Sequence, residues 1–214
     1  LLYLGRLDEL RLRLPAHLDE AEELGALHEV TALRTRIAPW LLLADDRPAD
    51  ARREAGDAIG RWSRLGWHAQ HAWAMHARAA AALYEGEAMA AHVEVESCWR
   101  ALERSPLLRV ESVRVESLAL RGASAIAAAG PRGDGERALR VAARAARALD
   151  REEASIARPF AAALHAAVAL ERGQAARALA HLDEAERGFG ELSMGLHAAA
   201  ARRRSGELAG GDEG

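Results

Sequence analysis

A repeated pattern with a spacing of about 41 residues is the feature that most constrains the fold of this chain. The pentapeptide Leu18–Glu22 recurs letter for letter as Leu182–Glu186, 164 residues further on, which is four times 41. Between the two copies, apolar residues and a glycine match at an offset of 41: Ile59, Trp62, Leu65 and Gly66 follow Leu18, Ala21, Leu24 and Gly25. Such self-similarity is typical of stacked helical repeats, in which each repeat buries its apolar face against a neighbour.

Apolar residues recur at three- and four-residue steps along most of the chain, as one face of a helix requires. Glycine, proline and charged clusters interrupt these runs, and the interruptions form two interleaved series of turns with one shared period. The pattern predicts helices at about 7–24, 27–43, 51–65, 67–84, 88–104, 107–129, 136–149, 153–172, 175–189 and 194–207. We therefore expect an all-α fold: a right-handed solenoid of about five antiparallel helical hairpins with tetratricopeptide-like repeats.

The repeats are expected to form a single domain over residues 1–214, with a candidate break at the glycine-rich segment 130–135. Within it, Trp62 and Trp99 stand in apolar stripes and are predicted to be buried. One segment is ambiguous, because Val110–Ser117 partly alternates in the manner of a strand. The length and the alanine-rich end of residues 107–129 favour a helix.

The charged residues exclude several classes of protein. The chain has 29 basic and 32 acidic residues, for a formal net charge of −3, so it lacks the broad positive surface that binds nucleic acid or an anionic membrane. All the basic residues are arginine. Because the phosphate-binding loop of nucleotide hydrolases and the ATP-anchoring strand of protein kinases both need a lysine, neither site is predicted in this chain.

The cellular setting is indicated by one cysteine and by the absence of long apolar runs. Cys98 is alone, so no intrachain disulfide is expected, as suits a reducing cytoplasm. The longest uncharged run, Pro159–Leu170, has 12 residues and is too short to span a membrane as a helix. The chain starts on an apolar segment, Leu1–Gly5, which resembles the last turn of a helix. We expect a cytoplasmic protein of which this chain is a fragment.

Candidate chemical groups are few. His68, His71 and His76 are the nearest approach to a metal-ligand cluster, but no carboxylate accompanies them at a useful spacing, and zinc sites usually take about three or four protein ligands. Cys98 lies in an apolar stripe beside a tryptophan and is predicted to be a packing residue. Asp45 and Asp46 precede Arg47 and a proline, as in a solvated turn. We predict no catalytic, cofactor-binding or metal-binding residue.

A partner-binding groove is the site that the sequence favours. Aromatic residues and histidines concentrate before and inside the fourth predicted helix, and arginines recur in the sixth. Aromatic and arginine side chains are the ones that most often anchor protein interfaces. The same residues also fit an alternative without a binding groove, in which the tryptophans pack in the core and the arginines are exposed to solvent. The candidate groove comprises Trp67, His68, His71, Trp73, Arg109, Arg114 and Arg121.

Several segments carry a family resemblance that covers most of residues 40 to 211. They are Arg61–His71, Leu83–Glu87, Leu107–Val110 with Val113 and Arg114, Leu120–Gly122, Phe189–Met194, Ala200–Arg204 and Gly210–Gly211. In these stretches the chain resembles the tetratricopeptide-like C-terminal helical-repeat region of bacterial eukaryotic-type serine/threonine protein kinases. The resemblance implies a parent kinase whose catalytic domain lies upstream, so that no catalytic residue falls inside this chain.

The sequence thus favours a non-catalytic arm of a bacterial signalling protein, with a serine/threonine kinase as the leading candidate for the parent. Its partner would be a protein or peptide, including other domains of the same parent chain, with no nucleic acid, membrane or cofactor. Two alternatives stay open. The first is the equivalent arm of a signalling ATPase or a transcriptional activator. The second, which we favour less, is a metal-dependent α-helical enzyme that uses His68, His71 and His76.

Overall fold

A computed structural model of the chain describes residues 1–130 and 135–210, and regular structure in these ranges is entirely helical. The prediction of an all-α protein is confirmed for this part of the chain. The helices are α1 (Leu7–Glu23), α2 (Leu27–Arg36), α3 (Ala38–Ala44), α4 (Pro48–Gly60), α5 (Ala69–Tyr84), α6 (Ala88–Arg104), a 3₁₀ helix (Pro106–Arg109), α7 (Glu111–Ala128), α8 (Gly135–Leu149), α9 (Ala157–Glu171), α10 (Ala175–Glu191) and α11 (Gly195–Ala209).

Most predicted boundaries lie within a few residues of the observed ones, and one predicted helix is divided. The segment predicted as one helix at 27–43 breaks at Ile37, between α2 and α3. Pro39 is the second residue of α3, and because proline lacks a backbone N–H it cannot continue the hydrogen-bond ladder of α2. The ambiguous stretch Val110–Ser117 is not a strand, since all but its first residue belongs to α7.

The C-terminal turns of five helices share one geometry. A left-handed residue stands two positions after the helix end, and the next N–H donates to the carbonyl five residues earlier at 2.8–2.9 Å. This is the Schellman arrangement, which satisfies carbonyl groups that the helix end leaves unpaired. The five left-handed residues are Gly25, Asp46, Gly86, Gly173 and Ser193.

Left-handed residues also recur at an even spacing. Gly25, Asp46, Gly66 and Gly86 are 20 or 21 positions apart, and Gly173 and Ser193 are again 20 apart. Two successive turns therefore span the 41-residue offset of the sequence repeat. The paired residues Leu24 and Leu65, which stand at that offset just before Gly25 and Gly66, are both strongly exposed. The number of hairpins and the solenoid geometry stay predictions.

Two glycine substitutions are expected to change stability in opposite directions. Gly86 has a φ of 76°, where a Cβ atom is strained, so we expect Gly86→Ala to lower the free energy of unfolding by about 1 kcal/mol. Gly56 lies inside α4 and nothing stands within 4 Å of an added Cβ, so we expect Gly56→Ala to raise it by about 0.5–1 kcal/mol. Urea unfolding followed by circular dichroism measures both. An unchanged or raised stability of Gly86→Ala would contradict the assigned turn geometry, and a loss in Gly56→Ala would contradict the open helical environment assigned to Gly56.

The contacts of the chain divide it into two compact units, of which the first comprises Leu1–Leu2 and Arg6–Arg114. In this unit, helices that follow one another in sequence pack together, and α5 contacts α2, α3, α4 and α6. Nine residues of α5 are buried, and six of these nine are alanines. Because alanine side chains are small, helices can approach α5 closely on several sides. Helix α6 adds Val95, Trp99 and Leu102 to the buried set.

The second unit comprises Tyr3–Gly5 and Val115–Gly214, and its structure is described as far as residue 210. Here α9 packs against α8 and α10, and α10 packs against α11. One apolar cluster is built around Leu149 and Leu164, and another around Phe189 and Met194. Tyr3 packs on the latter cluster. The prediction of a single domain over residues 1–214 stays a prediction, and most of the candidate break at 130–135 lies outside the described residues.

The two tryptophans that the sequence places in the core have different environments. Trp99 is buried in α6, with 6% of its surface exposed, as predicted. Trp62 is only partly buried and Leu65 is 86% exposed. The reason is that α4 ends at Gly60, so neither residue lies on a helical face. The predicted extension of that helix to residue 65 was wrong.

Candidate functional site

A cluster of aromatic and histidine rings surrounds the start of α5 in the first unit. The Trp62 Nε1 donates a hydrogen bond to His68 Nδ1 at 3.0 Å. Trp67 stacks on His71 with ring centroids 5.8 Å apart and planes inclined by 21°. His28, from α2, meets the edge of Trp62 at 5.9 Å. We call these five rings the α5 ring cluster. It contains three of the seven predicted groove residues, namely Trp67, His68 and His71.

Two of these histidines cap the helix. His68 is the N-cap residue of α5, and its backbone carbonyl accepts a hydrogen bond from the His71 N–H at 3.0 Å. In return, the His68 backbone N–H donates to His71 Nδ1 at 3.1 Å. The first N–H groups of a helix have no partner within it, and the His71 side chain supplies one for the His68 N–H, as the residue three positions after the N-cap does in a capping box. The three-residue spacing of His68 and His71 is the spacing of such a box, and it is the signal that the sequence reasoning missed.

The hydrogen bonds of the cluster determine which ring nitrogens are occupied. The Nδ1 atoms of His68 and His71 both accept bonds, so neither has a free Nδ1 to offer a metal ion. Burial, and then the nearby His68, lower the pKa of His71, which favours its neutral imidazole. Across residues 1–130 and 135–210, no group of three or more histidine, cysteine, aspartate or glutamate side chains is arranged to hold a metal ion.

His76 is separate from the other two histidines of the sequence triplet. It follows His71 by five positions on α5, so its side chain leaves the helix in a different direction. Its exposed fraction is 6%, and burial, with a smaller contribution from the charge of Arg36, lowers its pKa to about 3. The structure therefore brings together His68 and His71, and it places His76 in the core.

The other four predicted groove residues lie at separate places. Trp73 is partly buried on α5, two residues after His71. Arg109 is exposed at the end of the 3₁₀ helix, and Arg114 donates to the carbonyl oxygen of Leu108 at 2.7 Å. Arg121 is partly buried on α7 and belongs to the second unit. The groove that would join all seven residues stays a prediction.

The remaining candidates for chemistry are engaged in local structure. Cys98 is partly buried, and its burial, followed by the charge of Glu94, raises the pKa of the thiol, which disfavours the nucleophilic thiolate. Asp45 pairs with Arg11 at 2.6 Å. Asp46, the left-handed turn residue, accepts a hydrogen bond from the Tyr84 hydroxyl at 2.9 Å. These aspartates therefore belong to a turn, as the sequence predicts.

Regular structure in residues 1–130 and 135–210 is thus all helical, and left-handed turns recur at about half the 41-residue offset within 25–86 and 173–193. None of the described helices is long and apolar enough to cross a membrane. Comparisons of the chain with protein-family models, with curated proteins and with solved structures found no match.

Proposed function

We propose that the chain is a non-catalytic arm of a bacterial cytoplasmic signalling protein and that it binds a protein or peptide. The observation that carries this proposal is the repetition of helix and turn at intervals of 20 or 21 residues in two stretches, 25–86 and 173–193, since stacked helical repeats present long surfaces to partners. The α5 ring cluster supports it, because Trp67, His68 and His71 are partly exposed and form a preorganised aromatic surface. Such surfaces anchor interfaces at low entropic cost.

The parent protein proposed for this arm is a serine/threonine kinase. The support is the resemblance of residues 40 to 211 to the C-terminal repeat regions of bacterial kinases. The reading frame upstream of Leu1 tests this part directly. We expect a kinase catalytic loop there. If the upstream sequence instead encodes a nucleotide-binding ATPase with a DNA-binding domain, the parent is the alternative one and not a kinase. If it encodes an enzyme domain of neither kind, both proposed parents are wrong.

Peptide selection tests the binding function. We expect short random peptides displayed on phage to be enriched on the purified chain, and the enriched peptides to lose about tenfold in affinity, or about 1.4 kcal/mol, on Trp67→Ala and on Arg109→Ala. Both positions belong to the predicted groove in the first unit, and Arg109 is exposed, so its replacement leaves the core intact. Fluorescence anisotropy with labelled peptides measures the dissociation constants.

Leu12→Ala is the matched control for this experiment. Leu12 lies on α1 in the same unit and is 81% exposed, but it is outside the predicted groove. We expect its dissociation constants to equal those of the parent chain. If no peptide is enriched above an unrelated helical protein, the proposed function fails. If peptides bind and only Leu12→Ala weakens them, the function stands and the predicted groove is wrong.

A further inference from the structure

A groove in the second unit lies between the end of α8, the loop after it, and helices α9 and α10. It consists of two cavities, of about 400 Å³ and about 380 Å³, which share Glu152, Arg158 and Glu184 as lining residues. Its floor is apolar and well packed. Leu149 is fully buried and Ala162 is 3% exposed in one cavity, and the buried Pro159 lines the other. We call this feature the α9–α10 groove.

The charge on the walls of this groove is unbalanced. Two guanidinium groups line it, Arg158 and Arg187. Five carboxylates line it as well: Asp150, Glu152, Glu153, Glu184 and Glu191. The lining thus carries an excess of three negative charges. The groove therefore carries a local negative potential, and such a potential favours a cationic partner.

Two aromatic rings stand beside these carboxylates. His165 and His181 stack with ring centroids 5.3 Å apart and planes inclined by 27°. The Nε2 of His165 lies 2.8 Å from Asp150 Oδ2, which fixes the orientation of that ring. Burial, then the neighbouring His165 and Arg177, lower the pKa of His181, against the opposing effects of Glu184 and Asp150. A planar guanidinium can lie flat on an aromatic ring and pair with both oxygens of a carboxylate, and an ammonium group has neither planar geometry.

The chain itself shows that a guanidinium fits this geometry. The Nε of Arg158 donates to Glu184 Oε1 at 3.0 Å, although 82% of the Arg158 side chain is exposed. An exposed ion pair of this kind contributes little to stability, about 0–1 kcal/mol, so a partner side chain can exchange with it at small cost.

We propose that the α9–α10 groove binds an arginine-bearing segment of a partner protein, with guanidinium groups on Glu184 and the neighbouring carboxylates. This inference rests on the proposed protein-interaction function and names the chemistry of a partner. The groove lies in the second unit, away in sequence from the α5 ring cluster of the first. Nucleic acid and anionic membranes would be repelled by the same charge.

A pair of labelled peptides tests the proposal. One carries arginine at every third position of an alanine-based sequence, and the other has citrulline in place of each arginine, which keeps the shape and removes the charge. We expect the arginine peptide to bind the chain at low salt at least tenfold more tightly than the citrulline peptide. We expect the double variant Glu184→Gln/Glu191→Gln to lose most of this difference. Fluorescence anisotropy measures the affinities, and circular dichroism confirms that the variant is folded.

The control has the same change of charge elsewhere. Glu20 and Glu23 are exposed on α1, so Glu20→Gln/Glu23→Gln should bind the arginine peptide as the parent chain does. Equal binding of the two peptides would overturn the proposal, and so would equal weakening by the two double variants, which would show unspecific attraction. The two proposals can fail separately. If selected peptides bind and depend on Trp67, but the chain does not prefer arginine over citrulline, this inference is wrong and the proposed function stands.

Discussion

Replacing Trp99 with alanine is expected to lower the free energy of unfolding by about 3–5 kcal/mol. Trp99 lies on the buried face of α6 between Val95 and Leu102, and only 6% of its surface is exposed. The substitution removes an indole that neighbouring helices cannot fully replace, so a cavity is left. It also removes the hydrogen bond from Nε1 to Glu103 Oε1, which measures 2.6 Å. Urea unfolding at neutral pH measures the loss.

Met89→Ala is the control for this prediction. Met89 is another large apolar residue of α6, but 54% of its surface is exposed, so the change in stability should stay within about 0.5 kcal/mol. Trp62→Ala is expected to fall between the two, because Trp62 is partly buried outside a helix. Equal losses for Trp99→Ala and Met89→Ala would refute the orientation of α6.

Acidification is expected to destabilise the fold through His76. Its pKa is about 3 in the folded chain, against about 6.5 in an unfolded one, so the folded state favours the neutral imidazole. The contribution of neutral His76 to the free energy of unfolding is therefore fully present above the unfolded pKa. It is lost as the pH falls from about 6.5 toward 3. The slope is about 1.36 kcal/mol per pH unit, which amounts to about 3 kcal/mol at about pH 4.5.

The contribution of His76 is separated from other titrating groups by a difference between variants. His76→Gln keeps a polar side chain at the site but cannot titrate. We expect its loss of stability between neutral pH and about pH 4.5 to be smaller than that of the parent chain by about 3 kcal/mol. His17→Gln, at an exposed position of α1, should keep the parent's pH dependence. A His76→Gln profile parallel to that of the parent would show that His76 is accessible to protons in the folded state.

The helices and turns of this chain follow closely from local sequence. Apolar spacing predicted nearly all the helices, and the 41-residue offset reappears as left-handed turns 20 or 21 residues apart. Both signals are local, because a helical face and a left-handed turn residue depend on neighbours within a few positions. The break at Ile37 also has a local cause, Pro39, but the continuous apolar pattern of residues 27–43 led to the prediction of one helix.

The candidate site shows where such reasoning stops. The sequence placed Trp67, His68 and His71 in one region, and the structure brings their rings together. It did not show that His68 and His71 cap α5, because the same residue types at the same spacing also suit metal binding. The sequence pattern did not predict the α9–α10 groove, because its residues Asp150, His165 and His181 come from three separate segments of the chain.

The sequence by itself determined that this protein is helical, where most of its helices begin and end, and how often its turns recur. Only the tertiary structure decided that Trp99 is buried while Trp62 is partly exposed, and that His76 is neutral in the core while His68 and His71 hold a helix end. The physical reason is that burial, pKa and hydrogen-bond partners depend on side chains brought close by folding. The sequence order of residues does not specify those neighbours directly.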